Sequence, residues 1–107
     1  SLPTPLQKRI DIARALASRP EVMLMDEPAA ELNETDVSEL TELMTSFRAK
    51  FGVRSVLLVE HNVAMVMKVC DRITVLNFGK RIASGPPNEV RENAEVISAY
   101  LGVAEEK

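Results

Sequence analysis

The sequence is poor in the residues that build disulfide frameworks and multi-residue metal centres. It holds one cysteine, Cys70, one histidine, His61, and no tryptophan among its 107 residues. A single cysteine excludes an intramolecular disulfide or a cysteine cluster for zinc, and a single histidine excludes a multi-histidine metal site. The cysteine usage is typical of a reducing compartment.

The sequence also lacks an excess of positive charge and a long apolar run. Its net charge of -3 gives no basic footprint for nucleic acid. No apolar run approaches the roughly 20 residues of a membrane span, and no signal peptide opens the chain. With 46% hydrophobic and 27% charged residues, the chain has an ordinary globular composition, and its length predicts one domain or a piece of one. We expect a soluble, cytosolic protein that binds no nucleic acid.

One segment organises the chain: an apolar run that ends in two adjacent carboxylates and a proline. Residues 22–25 are apolar, and Asp26, Glu27 and Pro28 follow. The run has the length of a strand buried on both faces of a parallel sheet, and Pro28 predicts its end. Open α/β sheets bind ligands at this end of their strands, where two acids suit a hard cation and an activated water. A strand followed by a solvated acidic turn explains these residues equally well.

A first amphipathic helix is predicted over residues 6–18, after a proline-rich start at 1–5 that we expect to be non-helical. Pro20 sets its latest end. Its apolar residues recur at helical spacing: Leu6, Ile10, Ala13 and Ala17, with Ile12 and Leu16 beside them.

A second helix is predicted after a loop at 29–34. Asn33 is its expected N-cap, and acidic residues in the first turn favour the helix dipole. Gly52 supplies the stop. One apolar stripe follows the helix: Val37, Leu40, Met44, Phe47 and Phe51.

The remaining pattern predicts an α/β fold. Strand, helix and strand in succession imply parallel pairing through a right-handed crossover. Asn62 is the expected cap of the short helix after the second strand. The other predicted elements are a buried strand at 55–60, a strand at 73–77, a turn at 77–80, a hairpin strand at 81–84 and one or two short helices from Pro86 to Leu101.

Two of the predicted strands end in residues that suit phosphate chemistry. Glu27 follows the first strand, and Glu60 and His61 end the second. Because parallel strands end at the same edge of a sheet, we expect Glu27 and His61 to face one phosphate or one water.

The order and spacing of several motifs resemble a known family. They are 2–9 (LPTPLQKR), 12–16 (IARAL), 24–28 (LMDEP), 32–33 (LN) and 60–61 (EH). Together they resemble the second half of an ABC-transporter ATPase, a P-loop NTPase-like three-layer sandwich. The ATP-binding subunits of branched-chain amino acid importers are the most similar group, through 28–30 (PAA), 60–62 (EHN), 70–72 (CDR), 77–80 (NFGK) and 97–102 (ISAYLG).

The resemblance implies roles for the matching residues, with ATP and Mg²⁺ as cofactors. Asp26 resembles the Walker B aspartate, which holds the nucleotide's magnesium, usually through water. Glu27 resembles the catalytic glutamate that orients or deprotonates the attacking water. His61 resembles the switch histidine that contacts the γ-phosphate. Residues 30–34, with Asn33, resemble the D-loop, which in the family crosses the interface between two ATPase subunits.

The signature region departs from the family pattern LSGGQ, whose serine and glycine amides grip the γ-phosphate bound to the partner subunit. Matching backwards from residues 12–14 places Leu2 on the leucine, with Pro3, Thr4, Pro5 and Leu6 on the four positions that follow. Pro5 offers neither the amide nor the flexibility of glycine, whereas Thr4 offers a hydroxyl. The candidate nucleotide contacts here are Leu2, Thr4 and Gln7.

Two further departures accompany the altered signature. Glu31 stands where the D-loop usually has glycine or alanine, and its charge is expected to weaken nucleotide-driven dimerisation. Pro86 occupies a common threonine cap position before Pro87, so the helix that follows is expected to lack a side-chain cap.

No phosphate-binding loop of the form G-x-x-x-x-G-K-[ST] occurs, since glycine stands only at 52, 79, 85 and 102. We therefore interpret residues 1–107 as the C-terminal portion of an ABC ATPase domain without its Walker A half. The isolated chain is predicted neither to bind nor to hydrolyse ATP, because it has no backbone cradle for the phosphates. Its sheet would lack neighbouring strands, which predicts self-association.

The resemblance implies part of an ATP-hydrolysing subunit that energises import of branched-chain or other amino acids. Two such subunits sandwich ATP and drive transmembrane permease subunits from the cytoplasmic face of the inner membrane. An alternative is a non-catalytic interaction module that docks on a complete ATPase or permease; Pro5 favours it, whereas Asp26, Glu27 and His61 favour the ATPase. An ABC-type ATPase of DNA repair fits less well, because a coiled-coil insertion and a basic patch are absent.

Overall fold

A computed structural model describes residues 3–101, and the chain divides into two compact units, Ser1–Val69 and Cys70–Lys107. The elements of the first unit are α1 (Thr4–Ala17), β1 (Val22–Asp26), α2 (Glu34–Thr45), α3 (Phe47–Phe51), β2 (Ser55–Val59) and α4 (Val63–Val69). Those of the second are β3 (Ile73–Asn77), β4 (Lys80–Gly85), α5 (Pro87–Glu92), α6 (Ala94–Val96) and a π-helical turn (Ile97–Leu101). None of the helices in this part of the chain is long and apolar enough to cross a membrane.

The first unit is built on the parallel pair β1 and β2, as the strand-helix-strand order predicts. The register runs from Val22 beside Ser55 to Asp26 beside Val59, so both strands end at the same edge. The most completely buried large side chains of this unit are Phe47, Met65 and Val53. They belong to one core cluster with residues of β1 and of helices α1 and α2.

The predictions that β1 is buried on both faces and that the strand at 55–60 is buried are both wrong, because no residue of β2 is buried. Met23 and Met25 lie in the core, but Leu24 is 75% exposed and its partner Leu57 is 62% exposed. Successive strand side chains point to opposite faces, and the core cluster covers only the face that carries the two methionines. The opposite face of this pair is apolar and exposed to solvent.

Helix α1 begins earlier than predicted and buries a different face. It starts at Thr4, with Pro5 in its first turn, where the missing amide hydrogen has no helical acceptor to lose. Ile12 and Leu16 are its buried residues, whereas Leu6 is 45% exposed. Packing against the β1 methionines therefore selects the stripe that the periodicity placed second.

The second predicted helix is divided into α2 and α3 at Ser46. The Ser46 hydroxyl and amide both donate to Leu43 O, and these local bonds compete with continuation of the helix. The predicted cap and stop are confirmed: Asn33 Oδ1 accepts from Asp36 N at 2.8 Å, and Gly52 adopts φ 70°. Asn62 likewise caps α4 through Met65 N at 3.0 Å.

The second unit contains the predicted hairpin. Strands β3 and β4 pair antiparallel across a tight turn in which Phe78 and Gly79 have φ of 52° and 76°. Among its described residues, the buried hydrophobic side chains are Ile73, Val90 and Val96. Helix α5 has no side-chain cap bond at Pro86, in agreement with the sequence.

Candidate functional site

The ends of β1 and β2 bring two of the predicted site residues together. His61 Nδ1 lies 3.1 Å from Glu27 Oε1. The side chains are 73% and 49% exposed, respectively, so a ligand can reach both. A carboxylate and an imidazole at this distance suit proton transfer to or from a water, or contact with an anionic oxygen.

The backbone at Glu27 leaves the extended conformation of the strand. Glu27 has φ 49°, in the left-handed region that costs a non-glycine residue about 1–2 kcal/mol. Its amide donates to Val59 O at 2.7 Å, which adds one hydrogen bond beyond the paired residues of the strands. Strained backbone of this kind clusters at functional sites, and here the surrounding hydrogen bonds maintain it.

A third side chain, Glu60, completes the cluster, and the sequence analysis gave it no separate role. Its side chain is 1% exposed. One carboxylate oxygen, Oε2, accepts from Ala29 N at 2.9 Å. The other, Oε1, accepts from His61 N at 3.0 Å and Asn62 N at 3.3 Å, and lies 3.9 Å from His61 Nδ1. The sequence signal that could have identified Glu60 is its position, because it ends an apolar strand and precedes the only histidine of the sequence.

The predicted magnesium residue lies beside this cluster in sequence but on another surface. Asp26 is exposed at the end of β1, on the face that carries Leu24. An exposed carboxylate fits Mg²⁺, which keeps several waters and takes few protein oxygens. Glu27, Glu60 and His61 each offer a ligand atom within 4.8 Å of the others. The imidazole nitrogen of His61 suits a transition metal better than it suits Mg²⁺. The carboxylate oxygens of Glu60 already accept hydrogen bonds from backbone amides.

The signature candidates lie at the start of α1. Leu2 lies outside the described residues. Thr4 is half-buried as the first residue of the helix. Gln7 is exposed, and its backbone N–H donates to Pro3 O at 3.0 Å. Within residues 3–101, no hydrogen bond joins the side chain of Thr4 or Gln7 to Glu27 or His61.

Lys8 connects α1 to the loop after the catalytic candidate. Its Nζ donates to Pro28 O at 3.0 Å, in a partly buried contact between residues 20 positions apart. Helical periodicity places Lys8 only on the polar side of α1. This hydrogen bond therefore holds α1 against the residue that follows Glu27.

The D-loop candidates have clear structural roles. The Asn33 side-chain oxygen caps α2, so it is engaged within its own helix start. Glu31 has φ 66°, in the left-handed region that glycine adopts without steric cost. Glu31 therefore holds a strained backbone conformation, which the glycine expected at this position would relieve and the alanine would not.

Cys70 does not have the properties of an activated nucleophile. Burial and then the neighbouring Asp71 raise the pKa of its thiol above the usual value. Reactive cysteines require a lowered pKa, because the thiolate is the nucleophile. The thiol of Cys70 is therefore mostly protonated at neutral pH.

Comparison with known proteins gives consistent matches in sequence and fold. A family model described as a branched-chain amino acid ATP-binding cassette transporter matches residues 80–106. The high-affinity branched-chain amino acid transport ATP-binding protein LivG of Salmonella typhimurium is 45% identical over 98 residues, which are 92% of this chain. The corresponding protein BraF of Pseudomonas aeruginosa is 43% identical over 98 residues. The chain spans 38% of the length of each of these relatives.

A solved structure gives the same result for the fold. CbiO1 from Clostridium perfringens, part of the ABC transporter complex CbiONQ, superposes with a TM-score of 0.75 at 30% sequence identity. The superposition covers 98% of this chain and 41% of that one. The predicted fold class is therefore confirmed.

Proposed function

We propose that this chain, which is related over nearly all its length to the ATP-binding subunits of ABC transporters, forms part of an ATP-hydrolysing subunit for branched-chain amino acid import. The names of LivG and BraF support this cargo class. The observation that carries the proposal is the 3.1 Å contact between His61 Nδ1 and Glu27 Oε1 at the carboxyl edge of two parallel strands. We further propose that the chain is the C-terminal portion of the subunit and that the Walker A half lies outside it.

Glu27 would supply the carboxylate that orients the attacking water or, as a general base, accepts its proton. The left-handed backbone at Glu27 turns the half-exposed carboxylate toward His61 rather than along the strand. His61 contacts Glu27 here and would exchange that contact for one with the γ-phosphate. Asp26 would hold the nucleotide's magnesium through water, and the ion would neutralise charge on the phosphate oxygens.

The partners follow from the same reasoning. Because the sequence has no glycine-rich phosphate loop, we propose that the isolated chain neither binds nor hydrolyses ATP. Nucleotide binding would need the Walker A half, and hydrolysis would need a second subunit across the nucleotide. Pairing of the two ATPase subunits would drive the transmembrane permease subunits, and the ATPase would lie against the membrane on its cytoplasmic side.

A non-catalytic docking module is the second candidate, and the start of α1 favours it. Pro3 is the N-cap and Pro5 lies in the first turn. Proline has no amide hydrogen, so this helix start presents fewer donors to a phosphate than a glycine-rich signature does. Such a chain would bind a permease or an ATPase without completing a hydrolytic site.

A chimera distinguishes the two candidates. This chain would replace the matching 98 residues of Salmonella typhimurium LivG in a strain without its own LivG, and leucine uptake would be measured. Uptake that is restored and then lost on Glu27→Gln supports the ATPase. The exposed Glu42→Gln variant should leave uptake unchanged. A chimera that joins the transporter but never hydrolyses ATP supports the docking module instead, and one that does not join it contradicts both.

A further inference from the structure

We propose that Glu60 is a positioning residue: its buried carboxylate links the loop after β1 to the loop after β2 and so maintains the contact between Glu27 and His61. The importance of this contact for hydrolysis rests on the proposed function. The geometric claim does not depend on nucleotide.

The carboxylate of Glu60 serves both loops at once. Oε2 accepts from Ala29 N, two residues after Glu27, and Oε1 accepts from the amides of His61 and Asn62. Hydrogen bonds to a charged acceptor are shorter and stronger than neutral ones, and this acceptor is almost fully removed from water. Each loop therefore loses a strong acceptor if the carboxylate is removed.

The position of Glu60 explains why the two strands need this link. Pairing of β1 with β2 ends at Asp26 and Val59, and the amide of Glu27 adds one bond to Val59 O. Past that point the strand pairing has ended, and the hydrogen bond from Ala29 N to Glu60 joins the two loops. Glu27 and His61 both lie in this region past the ladder. Their side chains are partly exposed, so their own packing does not restrain them.

Glutamine is the informative substitution at Glu60 because it has nearly the same shape with only one acceptor oxygen. In Glu60→Gln, that oxygen can accept from Ala29 or from His61 and Asn62, but not from both sides. The amide nitrogen is a donor and faces a backbone donor on the other side. We therefore expect Glu60→Gln to release one loop while the core of the unit stays folded.

The single histidine makes the test direct, because its ring signals in a ¹H–¹³C NMR spectrum need no assignment. As a single substitution, Glu27→Gln should shift these signals, since it replaces the carboxylate 3.1 Å from Nδ1. Glu60→Gln should shift them as well, and adding Glu27→Gln to Glu60→Gln should then produce little further change. Glu21→Gln is the matched control: it neutralises an exposed acid that pairs with Arg54, and it should leave the signals in place.

A purely structural role predicts a different pattern. Glu60→Gln would lower the midpoint of unfolding and would shift the His61 signals only through the lost charge 3.9 Å from Nδ1, while Glu27→Gln would keep its full effect on those signals in the Glu60→Gln chain. That result would overturn the proposal. If Glu60→Gln does not fold, the wild-type chain supplies the answer through hydrogen exchange. The proposal requires the Ala29 amide to exchange roughly tenfold or more slowly than an unbonded amide, and fast exchange refutes it.

The outcome is independent of the transport experiment. If the His61 signals behave as expected and the LivG chimera never hydrolyses ATP, the positioning role of Glu60 stands and the proposed function fails. If the chimera transports leucine while Glu27→Gln keeps its full effect on the His61 signals in the Glu60→Gln chain, the positioning role fails alone.

Discussion

Glu31 offers a quantitative test of the backbone geometry in the loop between β1 and α2. Its φ of 66° places it in the left-handed region, which costs a residue with a Cβ about 1–2 kcal/mol. Glycine adopts this conformation freely but brings about 0.5–1 kcal/mol of extra chain entropy in the unfolded state. The difference predicts that Glu31→Gly stabilises the first unit by about 0.5–1 kcal/mol.

The matched control is Glu31→Ala, which removes the same side chain but keeps the Cβ. It should change the stability by less than about 0.5 kcal/mol, as exposed substitutions usually do. Gly52→Ala calibrates the backbone cost in the same unit. Gly52 has φ 70°, and an added Cβ would meet no atom within 4 Å, so its expected loss of about 1 kcal/mol reflects the backbone alone.

The assay is urea unfolding followed by circular dichroism, because the chain has no tryptophan. Each midpoint and slope gives the free energy of unfolding at equal protein concentration. A Glu31→Gly variant that is no more stable than the wild-type chain would show that the backbone at Glu31 is not strained. A Glu31→Ala variant as stable as Glu31→Gly would show the same.

Three further predictions concern the core, the cap and the exposed sheet face. Phe47→Ala should lower the free energy of unfolding in urea by about 3–5 kcal/mol, because Phe47 is only 1% exposed. Phe51→Ala should lower it clearly less, because Phe51 is 42% exposed, and equal losses would contradict the assigned core. Asn33→Ala should cost about 1 kcal/mol by the same method and Asn33→Ser much less, and no difference between them would contradict the cap. Leu24→Lys with Leu57→Lys should reduce self-association in sedimentation velocity, since burying each leucine contributes up to about 1.5–3 kcal/mol; unchanged association would exclude this face as its cause.

Local signals predicted the framework of the site well. The apolar run before Asp26, the cap at Asn33 and the stop at Gly52 are set by neighbouring residues, so sequence alone was sufficient for them. The meeting of Glu27 and His61 followed from parallel pairing, because both strands end at one edge.

Sequence reasoning failed where packing or side-chain contacts across the fold decide the outcome. Two stripes of α1 have similar apolar content, and only contact with β1 selects Ile12 and Leu16. The role of Glu60 depends on an amide 31 residues earlier in the chain, which no local pattern reveals. The break at Ser46 arises from hydroxyl bonds that compete with a strong helical periodicity.

Under the proposed function, Glu31 and Pro5 both lie in segments that would face a second subunit. Glu31 places a charge and a strained backbone just before α2. Pro5 removes an amide from the first turn of α1. We expect both residues to weaken nucleotide-driven pairing without altering the Glu27 and His61 contact, since neither is bonded to that cluster within the described residues.

We propose that this chain supplies Glu27 and His61 and that residues outside it bind the phosphates. The most direct test is calorimetry with magnesium-ATP, first on this chain alone and then on the LivG chimera. The account predicts no binding heat from the isolated chain, because it supplies Glu27 and His61 but no phosphate cradle. It predicts binding by the chimera, followed by hydrolysis that Glu27→Gln abolishes. Tight binding of magnesium-ATP by the isolated chain would contradict the assignment of the nucleotide cradle to residues outside it.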